Sequence, residues 1–229
     1  MKKHKMSLRE WIEHHHPSAF LLAAQFVLLI LYAVFDGLHS QRAVLSAFGG
    51  LILMLIVWVV DRSPAVNWVA WVLAIPAFVL SILSAFFDAP FLLAWSAVLE
   101  ALLYFYAAGS LIAYMMRDTT VTTDELFAAG ATFTLLAWGY GYGYLVLQAW
   151  VPNSFYNGAR PGEDATFVEL LFLSFTNLSA TGLGDIMPIS VPARVTAMLE
   201  QFSGVGYVTV VVSRLIGMTL SSRERKRHS

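Results

Sequence analysis

The chain has 229 residues, 58% of them hydrophobic and 13% charged, with a formal net charge of −1 and a mean hydropathy of +0.67. That is more apolar surface than one water-soluble core of this size can hide, so a soluble globular fold is excluded and lipid must serve as solvent. The near-neutral charge points to no partner and gives no reason to expect nucleic acid; the lack of cysteine excludes disulfides and thiolate metal sites.

The chain opens on a basic leader, MKKHKMSLRE, within a segment 1–18 that is expected to be cytoplasmic. The apolar run behind it, Ala19–Phe35, is longer than the core of a secretory signal, and no small-x-small cleavage site follows it, so it reads as a membrane anchor. Between the two stand His14, His15 and His16, which could bind a metal or titrate near neutrality; the reading adopted is a solvated turn before Pro17. Further apolar runs cover Ala43–Val60, Trp68–Phe87, Phe91–Met116, Leu126–Trp150 and Val195–Leu220, giving six spans near the roughly 20 residues a helix needs to cross a bilayer.

Residues 19–116 thus form a four-helix region. A voltage sensor would need several arginines or lysines along its fourth helix, because each charge crossing the field is worth about 2.3 kcal/mol per 100 mV. Phe91–Met116 has none, and its one carboxylate is Glu100. Glu100 is costly in lipid, so it is either a proton or cation sensor or a neutral acid hydrogen-bonded to another helix.

Basic residues set the orientation. With the N-terminus inside, Lys2, Lys3, Lys5, Arg9, Arg62, Arg117, Arg214, Arg223, Arg225, Lys226 and Arg227 fall on the inner side, against Arg42, Arg160 and Arg194 outside. Both termini are therefore expected in the cytoplasm, at the plasma membrane, with the tail 221–229 as a basic anchor. Arg214 is expected to snorkel to the inner interface. Thr119–Thr123 reads as a polar inner turn, while Asp36, Asp88 and Asp185 stand at outer ends where their field can concentrate cations.

One connection differs from the rest. Between the fifth and sixth spans lies "ATFVELLFLSFTNLSATGLGDIMPISVPAR", whose apolar part, residues 165–179, covers only about 22 Å as a helix and cannot cross the bilayer. It reads as a re-entrant helix, with Asp164 and Thr166 as candidate caps and Glu169 in the early turns favoured by the helix dipole. Gly182 and Gly184 then release the chain into an extended return, and Pro188 is expected to stop any new helix.

The stretch Thr176–Pro188, "TNLSATGLGDIMP", resembles the pore signature of the tetrameric potassium-channel superfamily, T-T-V-G-Y-G-D-x-x-P. The glycines, the aspartate and the proline match in register. The following "ARVTAMLEQFSGVGYVTVVVSRLIGM" is similar to the inner helix of bacterial two-helix-pore ion channels, and the resemblance covers about residues 126–220. It implies an all-α membrane protein: a pore domain 126–220 with pore helix 165–179, filter 180–184 and inner helix 195–220, behind four extra helices. It also implies a homotetramer, since one chain supplies one filter strand. Potassium ions would exchange their water for backbone carbonyls at Ala180, Thr181, Gly182 and Leu183, with Ser179 and Gly184 completing the strand. Thr176, Asp185 and Pro188 would support the filter, and Gly204 and Gly206 would let the inner helix bend. No cofactor beyond permeant potassium is expected, and no nucleophile or phosphate loop argues for an enzyme.

A second GYG-containing string, "WGYGYGYL", sits mid-span at Trp138–Leu145 with no re-entrant helix before it and no acid or proline after it. It reads as helix packing, with Gly139 and Gly143 at the four-residue spacing that suits a groove for a neighbour. Elsewhere the chain departs from the family pattern. Ala180 stands where a threonine hydroxyl completes the innermost site, Leu183 stands for the tyrosine tied to pore-helix aromatics (here Phe172 and Leu173), and Thr181 replaces a valine. The first two changes point toward a weakly selective monovalent-cation channel as the alternative to a potassium-selective one. A secondary transporter or membrane sensor is the alternative of another class, but a single re-entrant segment and the lack of a soluble output domain argue against both. Glu200, early in the inner helix, is expected to have a structural partner.

Overall fold

The computed structural model describes residues 17–34, 41–60, 66–87, 89–117 and 122–228. The histidine run at 14–16, Asp36 and Asp88 lie outside them. Four helices come first: α1 (Pro17–Val34), α2 (Gln41–Val60), α3 (Asn67–Phe87) and α4 (Pro90–Arg117). The pore half follows as α5 (Thr123–Trp150), strand β1 (Phe155–Asn157), short helix α6 (Phe167–Leu178), strand β2 (Ile186–Pro188) and α7 (Val191–Tyr207). A π-helical segment at Val208–Val212 then joins α7 to α8 (Ser213–His228).

The fold is that of an all-α, multi-pass membrane protein. Among the described residues, Pro17–Val34, Asn67–Ser84, Phe91–Arg117 and Val191–Leu220 are long and apolar enough to span a bilayer. The other two expected spans are the helices α2 and α5. Helix α2 is continuous over Gln41–Val60, and its sequence is apolar from Ala43 on. Helix α5, at 28 residues, is long enough, but much of it packs against protein, so lipid places a weaker demand on its composition.

Helix α5 is the spine of the molecule. It packs along α4 and α1 on one side and along α6 and α7 on the other. One hydrophobic core consequently runs through both halves, from Leu21 and Leu28 of α1 and Ile56 of α2 through Leu103 and Tyr104 of α4 to Leu135 and Trp138 of α5 and Leu171 of α6. A second cluster of Tyr144, Ala165, Leu170, Leu173 and Ile186 lies beneath the connection between α5 and α7.

Four features depart from the sequence expectations. The string GYGYGY is continuous helix within α5, but its packing glycines are Gly139 and Gly141. A Cβ on Gly139 would press on the Phe105 ring at 3.1 Å and one on Gly141 on Leu171 at 3.2 Å, whereas Gly143 faces nothing within 4 Å. The two neighbours, α4 and α6, lie on different faces of α5, so no single four-residue groove is needed. The inner helix starts at Val191 rather than 195, because the Ser190 side chain accepts from the Ala193 N–H and Pro192 fits the first turn, where its missing N–H costs nothing. The extended return is a strand: β2 pairs antiparallel with β1, Phe155 opposite Pro188 and Asn157 opposite Ile186. Finally, α8 carries helix through the basic tail to His228.

Candidate ion-conducting site

Helix α6 is built to start sharply. Thr166 is its N-cap: its side chain accepts from the Glu169 N–H while Glu169 Oε2 accepts from the Thr166 N–H at 2.7 Å, a capping box. The same Oε2 accepts from Arg160 Nη2 at 2.6 Å and from Asn157 Nδ2 at 3.3 Å, so one carboxylate ties β1 and the following loop to the start of α6. Burial opposes ionisation of Glu169, but the Thr166 hydrogen bonds and the Arg160 guanidinium win and hold its carboxyl below the usual carboxylate range. Gln148 of α5 adds a two-way clasp to the Ala165 backbone, accepting at 3.0 Å and donating at 2.9 Å.

The end of α6 decides the course of the next residues. The Ala180 N–H donates to the Asn177 carbonyl at 2.9 Å and the Thr181 N–H to the Thr176 carbonyl at 2.8 Å, the pair of bonds that defines a Schellman motif. The Gly182 N–H also reaches the Thr176 carbonyl, at 3.2 Å. That motif puts its residue after the cap in the left-handed region, and here the residue is Ala180, with φ +56°. Gly182 is the second left-handed position, φ +68°. The left-handed pair is therefore 180 and 182, not the two glycines at 182 and 184. Helix termination, not glycine alone, sets the first member, at a cost of about 1–2 kcal/mol for a residue with a Cβ.

Side chains brace the same strand. Ser179 Oγ donates to the Phe175 carbonyl at 2.7 Å and lies 2.8 Å from Thr181 Oγ1, so the hydroxyl that replaces the expected valine finds a partner on the preceding turn. Residues 179–185 are all exposed in the single chain, between buried Leu178 and buried Ile186. Leu183 and Phe172 are both exposed, whereas Leu173 is buried in the cluster with Tyr144.

Of the expected supporting residues, Thr176 acts through its carbonyl, while its hydroxyl turns back to the Leu173 carbonyl at 2.8 Å. Asp185 is held by its backbone, its carbonyl accepting from Gly158 N–H at 2.8 Å. Pro188 closes the β1–β2 pair. Gly204 lets α7 approach the end of α6 so closely that a Cβ there would run into the Leu178 carbonyl; Gly206 faces nothing within 4 Å. Both glycines lie in regular α-helix, and the irregular turn comes after them, at Val208–Val212.

Glu100 is buried, 7% exposed, and hydrogen-bonded to Tyr142 of α5, with Tyr104 and Tyr32 close by. Tyr142 packs at a tilt against Phe167, the first residue of α6, with ring centroids 4.5 Å apart. Arg214 donates to the Met115 carbonyl at 2.9 Å, joining the far end of the inner helix to the last turn of α4. Sequence reasoning missed the Arg160–Asn157–Glu169 tie and the bonds that gather Tyr144, Ser174 and Asn177 around Glu200. The only sequence signal for the latter was a lone acid inside an apolar span.

A short apolar helix, an extended strand bound to its end and two flanking long helices thus form one packed unit. Residues 130–221 match the family model described as an ion channel, so the chain carries an ion-channel domain behind four further helices. No curated protein matches, and no solved structure matches.

Proposed function

We propose that the protein is a potassium channel, a homotetramer in the plasma membrane with both termini cytoplasmic, conducting passively through four copies of residues 179–184 and catalysing no reaction. The observation that carries this reading is the exposed, non-helical stretch 179–185 lying against an apolar re-entrant helix. Irregular backbone is tolerated within a membrane only where protein covers it or water fills the space beside it. Four copies around one axis meet both conditions, and rings of carbonyls from Ala180, Thr181, Gly182 and Leu183 would then replace the hydration shell of the ion. The bonds from Thr181 and Gly182 to the Thr176 carbonyl supply the rigidity that such rings need.

A weakly selective monovalent-cation pore is the second reading, favoured by Ala180, which brings no hydroxyl to the innermost site. The deciding experiment is potassium against sodium flux through purified protein in liposomes, comparing the native chain with Gly182→Ala, Ala180→Thr and Ala180→Gly. The expected outcome is a potassium preference that Gly182→Ala abolishes. If the missing hydroxyl limits selectivity, Ala180→Thr sharpens the preference and Ala180→Gly, which suits the left-handed backbone without adding an oxygen, does not. Equal passage of both ions by the native chain selects the second reading. Flux unchanged by Gly182→Ala removes residues 180–184 from the conduction path.

A further inference from the structure

Where α5, α6 and α7 meet, a carboxyl group is sealed inside the pore half. Glu200 of α7, Ser174 of α6 and Tyr144 of α5 are each 0% exposed in a single chain, so assembly with further copies cannot change their burial. Tyr144 donates to Glu200 Oε2 at 2.5 Å. Asn177 Nδ2 donates to the Tyr144 hydroxyl at 3.1 Å, and Gln201 Nε2 to Asn177 Oδ1 at 3.4 Å. On the other side, Ser174 Oγ is in hydrogen-bond contact with Glu200 Oε1 and lies 2.7 Å from the Ala137 carbonyl oxygen.

Counting protons resolves the arrangement. Ser174 Oγ has two short oxygen contacts and one hydrogen. A carbonyl cannot supply a proton, so the single Ser174 hydrogen serves two acceptors unless the acid brings a second. With Ser174 donating to the Ala137 carbonyl and Glu200 donating to Ser174, each contact has its own proton; an ionised Glu200 would compete with that carbonyl for the one Ser174 hydrogen. No cation opposes this assignment: α5 and α6 contain no lysine or arginine, and the one in α7, Arg194, is exposed and donates to the Pro188 carbonyl. The other titratable group facing the site is Tyr140, whose hydroxyl pairs with Ser203 at 2.8 Å. An unpaired carboxylate sealed in this way would be costly, whereas a neutral acid completes every bond.

We propose that Glu200 is a neutral, proton-donating positioning residue for the filter. The chain of donors runs one way, Gln201 to Asn177 to Tyr144 to Glu200 to Ser174 to the Ala137 carbonyl, and crosses all three helices of the pore half. Ser174 and Asn177 flank Thr176, whose carbonyl holds the Thr181 and Gly182 amides. The acid proton thus fixes the last turn of α6, and through it the strand that the ions meet. Glu200 contributes alignment and no charge to the pore.

The functional arm of this inference rests on residues 179–184 being the filter; the spectroscopic arm does not. Infrared spectra of the reconstituted full chain should show a protonated carboxylic C=O band that disappears in Glu200→Gln. In liposomes, Glu200→Leu should lower the potassium-to-sodium permeability ratio about tenfold, as expected when a buried hydrogen-bond chain is broken. Glu200→Gln should recover it, because an amide donates to Ser174 and accepts from Tyr144 as the neutral acid does. A carboxylate band in place of the acid band overturns the proposal, as does a glutamine variant as impaired as the leucine one. If Gly182→Ala leaves flux unaltered, the filter reading fails, and the infrared band alone decides the state of Glu200.

Discussion

Ala180 carries strain that its neighbours do not. Its left-handed backbone follows from the two amide bonds that close α6, so the Cβ is an expense with no packing return. Ala180→Gly should raise thermal stability by about 1 kcal/mol, read from the melting temperature of detergent-purified protein. Gly204 and Gly206 divide in the opposite sense. Gly204→Ala must push the inner helix off the Leu178 carbonyl and should cost about 1–3 kcal/mol, while Gly206→Ala, with open space around it, should be close to neutral. Glu169 gives the molecule a pH dependence at the start of α6. Its folded carboxyl titrates below its unfolded counterpart, so its contribution to stability is complete above the ordinary carboxylate range and is lost as pH falls through the lower folded value. A melting-temperature profile in acid should therefore flatten in Glu169→Gln relative to the native chain.

At the scale of elements, α6 is the piece on which the site depends, and it is held at both ends. Thr166→Ala removes the hydroxyl half of its capping box and should cost about 0.5–2 kcal/mol, measurable by denaturation of the purified protein. The location of α6 was legible in the sequence because its signals are local: an apolar run too short to cross, a cap at Thr166 and an acid three residues later. The strand that follows was legible through its glycines and Asp185. What could not be read depends on residues that meet only after folding. Asn157 and Arg160 reach Glu169 across a loop, and Tyr144 and Ser174 reach Glu200 from separate helices. Hydropathy likewise registered that α5 was a span without revealing that Gly141, rather than Gly143, would be its contact with α6. The helix start at Val191 was also missed, since Pro188 spoke for a stop and the cap at Ser190 spoke less loudly.

For the molecule as a whole, the four leading helices and the pore half share one core, so a disturbance around Glu100 has a packed route to the first turn of α6 through Tyr142 and Phe167. Under the sensor reading of Glu100, replacing it with glutamine should remove a pH-dependent step in channel activity. Under the hydrogen-bonded reading, the activity profile stays as it was, with Tyr32, Tyr104 and Tyr142 the other titratable groups facing the site. Apolar exposure cannot by itself drive assembly in lipid, which solvates Met198 and Phe202 as well as a neighbouring chain does. On the proposed reading further copies cover the exposed strand 179–185, and native mass spectrometry from detergent should then find four.

The π-helical turn at Val208–Val212 acts as one extra residue threaded into an otherwise regular cylinder. Everything beyond it is rotated by about 100° relative to the phase set by Val191–Tyr207. The face that carries Glu200 and Gly204 is thus a different stripe from the one that brings Arg214 to the Met115 carbonyl, and no single helical wheel describes the inner helix. The turn takes up one residue of chain without advancing the helix, so deleting one of its valines should close a uniform α-helix that still brings Arg214 to the Met115 carbonyl, whereas deleting a residue from the regular part of α7 should turn Arg214 away from α4.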